Sequence, residues 1–198
     1  MFVLGLTGSI GMGKSTTAAM FRAEGLEVYD ADAVVHELYR GEAAPVIEAA
    51  FPCTTRDGVV DRSVLAARLV DDPAALTRLE AIVHPLVAAR REAFLADTEK
   101  KGARIVVLDV PLLFETGLDR KVDAVVLVTA SETVQKERVS RRPGMTPELL
   151  AVILAKQMPD ADKRARAHFI IDTGRGFASA ERQVRGVLRA LAGAGNKG

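Results

Sequence analysis

The stretch Gly8-Ser9-Ile10-Gly11-Met12-Gly13-Lys14-Ser15 restricts this chain more than any other. It fits the pattern G-x-x-x-x-G-K-[S/T] and stands directly behind an apolar run, Phe2–Thr7. A helical pattern follows it from Ser15 to Glu24 and stops at Gly25. The glycines let the backbone wrap closely, so that successive N–H groups and the N-terminus of the following helix point at phosphate oxygens. Lys14 adds a mobile positive charge, and the Ser15 hydroxyl is suited to Mg²⁺. Gly8, Gly11, Met12, Gly13, Lys14, Ser15 and Thr16 are therefore the candidate nucleotide-binding residues, with ATP as the nucleotide and Ser15 as a metal ligand.

A strand–loop–helix unit of this kind belongs in a parallel sheet, and the rest of the chain supplies one. Five short β-rich runs occur, at Phe2–Thr7, Glu27–Tyr29, Arg104–Asp109, Ala124–Thr129 and Phe169–Asp172. Most are continuous rather than alternating in apolar character, as in strands buried on both faces. Helical patterns separate them, with Ser131 opening a helix to about Arg142 and Thr146-Pro147-Glu148 opening another. The expected fold is a doubly wound α/β domain spanning residues 1–198, with a mostly helical insertion at about 33–102 and an arginine-bearing stretch at 138–166. The tail from Ala192 is expected to fray.

Composition narrows the function further. A chain of 198 residues that is 48% hydrophobic has material for a core and is not disordered. Its longest apolar run, Leu149 to Ala155, is far short of the roughly 20 residues of a membrane helix, so no membrane is expected. The N-terminus has no basic flank or cleavage site and reads as a core strand, and the single cysteine, Cys53, agrees with a reducing cytoplasm. Residues 131–198 carry 13 basic against 7 acidic side chains, a net of +6 that favours an anion. Only 5% of residues are aromatic, which argues against nucleic acid as a partner.

Candidate chemistry clusters beyond the strand ends, where ligands bind in open α/β sheets. Asp32, after the second strand, is placed to orient and deprotonate an acceptor hydroxyl; Asp30 or Asp32 serving merely as a helix cap is the competing reading. Asp109 closes the third strand where an acid that holds Mg²⁺ through water is expected, or else forms a turn before Val110-Pro111. Arg138, Arg141 and Arg142 share a helix face by spacing and, ahead of Pro143-Gly144, suit a lid that closes on transferring phosphate, unless they are a solvated surface. His84-Pro85 reads as a structural histidine before a kink. A GTP switch is excluded, because no usable N-K-x-D base-reading element occurs. What remains is a small-molecule kinase or, less well supported, a non-catalytic ATP-dependent switch.

Several strings together resemble the dephospho-CoA kinase family. They are Gly5 to Ser15, Asp30-Ala31-Asp32, His84-Pro85, Asp109-Val110-Pro111-Leu112-Leu113-Phe114-Glu115, Arg138 with Arg142, and Gln157, in order over roughly residues 2 to 173. The resemblance implies a P-loop kinase core with a five-stranded parallel sheet flanked by helices, a helical insertion for the substrate dephospho-CoA, and an arginine lid. It implies transfer of the ATP γ-phosphoryl group to a ribose 3′-hydroxyl, with Lys14, Asp32, Arg138 and Arg142 catalytic and Ser15 and Asp109 at Mg²⁺, in a monomer or small homo-oligomer. Another small P-loop kinase, acting on a nucleoside monophosphate or other small metabolite, is the alternative. The chain departs from the family at Thr173, where an Asn that helps frame the adenine is usual, and at Ser9, where a glycine is frequent.

Overall fold

The computed structural model describes residues 1–70 and 72–194. Strand β1 (Phe2–Thr7) runs through the phosphate loop into α1 (Lys14–Ala23) and β2 (Glu27–Asp30). Next come α2 (Ala31–Tyr39), α3 (Ala43–Ala50), the short strands β3 (Thr55–Arg56) and β4 (Val59–Val60), α4 (Arg62–Leu69) and α5 (Pro73–Lys100). The chain returns with β5 (Ile105–Asp109), a 3₁₀ turn at Leu118–Lys121, β6 (Ala124–Thr129), α6 (Glu132–Ser140), α7 (Pro147–Ala155), α8 (Asp160–Arg166), β7 (Phe169–Asp172) and α9 (Phe177–Ala194). Met1–Tyr29 with the chain from Lys101 onward forms one compact unit, and Asp30–Lys100 forms a second.

In the first unit the β-rich runs pair into a five-stranded sheet of order β2-β5-β1-β6-β7. The pairings of β1 with β5, β1 with β6 and β6 with β7 are parallel. The chain builds first to one side of β1 and then to the other, so the reversal falls at β1, whose carboxyl end opens the ligand crevice of such sheets. The phosphate loop starts there. Register places Leu6 of β1 beside Asp109, which carries the β5 carboxylate to the same edge. Leu4, Leu6, Phe21, Val107, Val126, Val128 and Ile171 fill the core, closed by Ala180 and Val184 one helical turn apart on α9. The tail is helical to Ala194; residues 195–198, the rest of the expected fray, lie outside the described residues.

Part of the expected 138–166 stretch is bound to this sheet. In α8, Lys163 is fully buried, and the Thr129 hydroxyl of β6 meets the Asp160 carboxylate at 3.1 Å and Arg164 Nη2 at 2.7 Å. α6 ends at Ser140, short of Arg142, and α7 follows with Thr146 as its cap. Between α6 and the anchored α8 lies the stretch at about residues 141–156, which holds α7.

The second unit has its own core, in which Ala75, Leu79 and Val83 of α5 face Leu38, Ile47, Phe51 and Leu65. α5 runs on through Pro85, and His84 is exposed rather than packed. The hairpin of β3 and β4 was not expected in a mostly helical insertion. Its signal is Asp57-Gly58, whose φ angles of 51° and 76° are those a tight two-residue hairpin turn demands. Glu48 holds the approach to it, accepting from the backbone N–H groups of Cys53, Thr54 and Thr55 and from the Thr55 hydroxyl at 2.7–3.0 Å.

The Cys53 amide, with the Thr55 hydroxyl and the other amides behind it, holds the Glu48 carboxyl below the usual carboxylate range. A carboxylate with a depressed folded pKa contributes stability above its unfolded pKa and loses it as pH falls. Glu48→Gln should therefore melt below wild type at neutral pH, and the gap should close as pH is lowered through the carboxylate range. Thermal melts at several pH values check this, and a gap that does not change with pH would contradict it.

Candidate nucleotide and phosphoryl-transfer site

The first turn of α1 is built to receive an anion. Its N-cap is Gly13, at φ 94° and ψ 19° in the left-handed region, and no side chain caps the helix. The first bond from the helix into the loop runs from Thr17 N to Gly13 O at 3.0 Å. The amides of Lys14, Ser15 and Thr16 precede it and have no intrahelical carbonyl within reach, which with the helix dipole suits this end to an anion. Ser15 and Thr16 are exposed at this end.

Lys14 Nζ lies 2.6 Å from Asp109 Oδ1. Asp109 is only 1% exposed, so its carboxylate faces the loop and is not a solvent-facing turn residue. The site thus carries a mobile cation and a fixed anion side by side, at the mouth of a loop whose amides face the same way.

The loop is held from behind. The Met12 side chain is buried, with its sulfur 3.2 Å from Ala130 N, and its amide donates to Ser9 O at 3.1 Å, so the side chain of this candidate nucleotide-binding residue is turned into the protein. The Thr173 hydroxyl donates to Met12 O at 2.7 Å and accepts from Arg138 Nη1 at 2.7 Å, while Arg138 Nη2 donates to Thr173 O at 2.9 Å. Thr173, the departure from the usual Asn, has its hydroxyl committed to the loop and to Arg138. Gln135 Nε2 donates to Ile10 O at 2.7 Å, and Ile10 N donates to Gln157 Oε1 at 3.2 Å. Gln135 was legible only as a polar residue three positions before Arg138 on one helix face, and Thr173 only as the residue that follows the last strand.

The arginines separate. Arg141, the C-cap of α6, pairs at 2.5 Å with Glu137 on an exposed surface. Arg138 is tied to Thr173. Arg142 is exposed, and its side chain makes no hydrogen bond or ion pair among the described residues. Arg138 and Arg142 nevertheless both line one pocket of about 380 Å³, together with Gly13, Thr16, Thr173 and Phe177. Arg142 is therefore the arginine free to meet a ligand, and Arg138 is a fixed wall.

In the second unit Asp30 is the N-cap of α2, its carboxylate accepting from Ala33 N at 3.0 Å. Asp32 lies in the first turn and is exposed, so capping does not account for it. A buried ion pair went unnoticed in the sequence: Lys163 Nζ lies 2.9 Å from Glu115 Oε1, in ionic contact off the line of a directed hydrogen bond. Burial pushes the Glu115 carboxyl up, but Lys163 and the Met158 amide outweigh it and hold it below the usual carboxylate range.

Residues 2–178 match the sequence profile of the family described as dephospho-CoA kinase. The chain belongs to the dephospho-CoA kinase family. It is 60% identical to the dephospho-CoA kinase of Mesorhizobium japonicum over 98% of both chains, and 59% identical to that of Rhodopseudomonas palustris over 97% of this chain and 96% of the relative. Among solved structures, one from Thermus thermophilus matches with a TM-score of 0.83 at 33% identity, covering 100% of this chain and 98% of that one. The dephospho-CoA kinase of Campylobacter jejuni, at TM-score 0.67 and 20% identity over 96% of each chain, shares the fold. So does the shikimate kinase of Bacteroides thetaiotaomicron, at TM-score 0.52 and 15% identity over 96% of this chain and 98% of that one. The fold is that of the P-loop kinases, which this family shares with kinases of other small acceptors.

The division between the two arginines has a measurable consequence. Arg138→Ala removes a charged donor from two bonds and should destabilise the protein by about 2 kcal/mol. Arg142→Ala, on the surface, should stay within about 0.5 kcal/mol of wild type. Chemical denaturation of the two variants decides it, and equal losses would mean that both arginines are structural.

Proposed function

We infer that this chain transfers the γ-phosphoryl group of ATP to the ribose 3′-hydroxyl of dephospho-CoA, giving coenzyme A and ADP in the last step of coenzyme A synthesis. The observation that carries this reading is the near-complete coverage of dephospho-CoA kinases at about 60% identity. The loop geometry alone supports phosphoryl transfer to an acceptor of any kind.

The roles follow from the chemistry of each group. The loop amides from Gly11 to Thr16 cradle the phosphates, and Lys14, released from Asp109, neutralises charge between the β- and γ-phosphates. Ser15 and Asp109 fit Mg²⁺, which takes one or two protein oxygens and completes its shell with substrate phosphates and water. When bound, the ion would draw charge from the phosphate oxygens. Arg142, uncommitted at the pocket wall, supplies bidentate stabilisation of the charge that spreads over the transferring group. Asp32 accepts the proton of the acceptor hydroxyl; its place just beyond β2, with the capping role taken by Asp30, supports this assignment. The exposed Cys53 thiol agrees with a reducing, cytoplasmic setting, and no described helix is long and apolar enough to cross a membrane.

Incubation with ATP, Mg²⁺ and a panel of acceptors tests the reaction, with phosphorylated product expected from dephospho-CoA and not from nucleoside monophosphates or shikimate. Asp32→Asn keeps the shape of the side chain but removes the proton acceptor, so turnover should fall by about 10²-fold or more while ATP affinity and melting temperature hold. Near-normal turnover in that variant would remove Asp32 from the chemistry.

A further inference from the structure

One residue of the phosphate loop is gripped from both ends of the segment at 141–156. Ile10 O accepts from Gln135 Nε2, on the helix that enters that segment, and Ile10 N donates to Gln157 Oε1, at the residue that leaves it. Gln135 is buried and Gln157 half-buried. The chemistry fixes both amide orientations, since only an oxygen accepts from an N–H and only an NH₂ donates to a carbonyl. Ile10 therefore commits both of its backbone groups to these side chains, while the Met12 amide turns back to Ser9 O at 3.1 Å and the amides of Lys14, Ser15 and Thr16 stand ahead of the first intrahelical bond of α1. The entering helix is also pressed against the loop next door: a Cβ at Gly11 would lie 2.5 Å from Val139 Cγ2.

The two roots differ in what surrounds them. Beyond Gln157 the chain is fixed, because Met158 N donates to Glu115 Oε1 at 2.8 Å and Glu115 is held by the buried Lys163. Beyond Arg142 it turns at Pro143-Gly144, where Gly144 has a φ of 74° and Met145 N donates to Arg142 O at 3.2 Å, with no side-chain anchor, among the described residues, of the kind that follows Gln157. Arg142 stands at that turn and on the pocket wall.

We propose that Gln135 and Gln157 are positioning residues that couple the filling of the phosphate loop to the placement of residues 143–156, and with them Arg142. Phosphate drawn onto the amides that follow Ile10 shifts the Ile10 peptide, and the two glutamines carry the shift to both roots of the segment at once. The coupling rests on the nucleotide reading above, because it needs phosphate in the loop.

Amide hydrogen exchange across residues 143–156, with and without Mg²⁺ and a non-hydrolysable ATP analogue, tests it in wild type, Gln157→Leu, Gln157→Glu and Gln135→Leu. In wild type the analogue should slow exchange in this segment. Gln157→Leu and Gln135→Leu should lose only the few degrees of melting temperature that one stranded backbone group costs and bind the analogue to within a few-fold of wild type, yet lose most of that protection, with kcat down about tenfold or more. Gln157→Glu keeps an acceptor for Ile10 N and should restore both protection and turnover. Full protection with normal kcat in the leucine variants would overturn the proposal. So would losses that track a fall in melting temperature and analogue affinity, which would make the glutamines packing residues. A wild-type protein that fails to bind the analogue would refute the nucleotide reading itself, whereas binding without protection of 143–156 would refute the coupling alone.

Discussion

Backbone amides that receive a phosphate cannot also hold their own loop in shape. Apart from the turn that Met12 N closes on Ser9 O at 3.1 Å, the loop from Gly8 to Gly13 meets this constraint by being fastened through its other groups. Its carbonyls at Ile10 and Met12 accept from Gln135 and Thr173, the Ile10 amide is committed outward to Gln157, and Met12 plugs its side chain against Ala130. Every one of these partners comes from the chain beyond β6. The central strand and the last third of the chain must be assembled before the loop has a fixed form, and loop, α6 and β7 belong to one cooperative arrangement.

The charges of the first unit follow the same logic. Lys14 and Asp109 are largely buried and face each other at 2.6 Å, and Lys163 and Glu115 do so at 2.9 Å. Removing one member of such a pair strands the other, although the pair itself is weak evidence of net stability. Their value here is positional. The first pair holds the Lys14 cation at the end of β5, beside the first turn of α1; the second fixes the chain on the far side of Gln157. Arg166 reinforces that corner, 4.7 Å from the Phe114 ring and paired with Asp119.

The second unit solves a different problem. With its own core, and with Glu48, Asp30 and Asp61 capping or bracing its turns, it is locally self-sufficient. That independence lets Asp32 remain exposed: the capping bond goes to Asp30, two residues earlier, and leaves the Asp32 carboxylate for other work.

The sheet, the phosphate loop and the family were legible in the sequence because each rests on local or near-local chemistry. Continuous apolar runs mark buried parallel strands, the glycine spacing marks a backbone that must wrap an anion, and strings such as Asp109 to Glu115 are specific in themselves. All five strands kept their expected ends to within a residue of the structure, and Phe2–Thr7, Ala124–Thr129 and Phe169–Asp172 matched outright. The β3–β4 hairpin was written in Asp57-Gly58 but masked by the helical character around it. Which arginine is free could not be read, since Arg138 and Arg142 look alike in sequence and differ only because Thr173, 35 residues beyond Arg138, takes up one guanidinium. The pairing of Gln135 and Gln157 on Ile10 and of Lys163 on Glu115 was decided by tertiary structure alone, because these are single polar contacts between distant segments with no periodicity to announce them. Sequence determined what chemistry the loop can do; folding decided which side chains hold it and which remain free to take part.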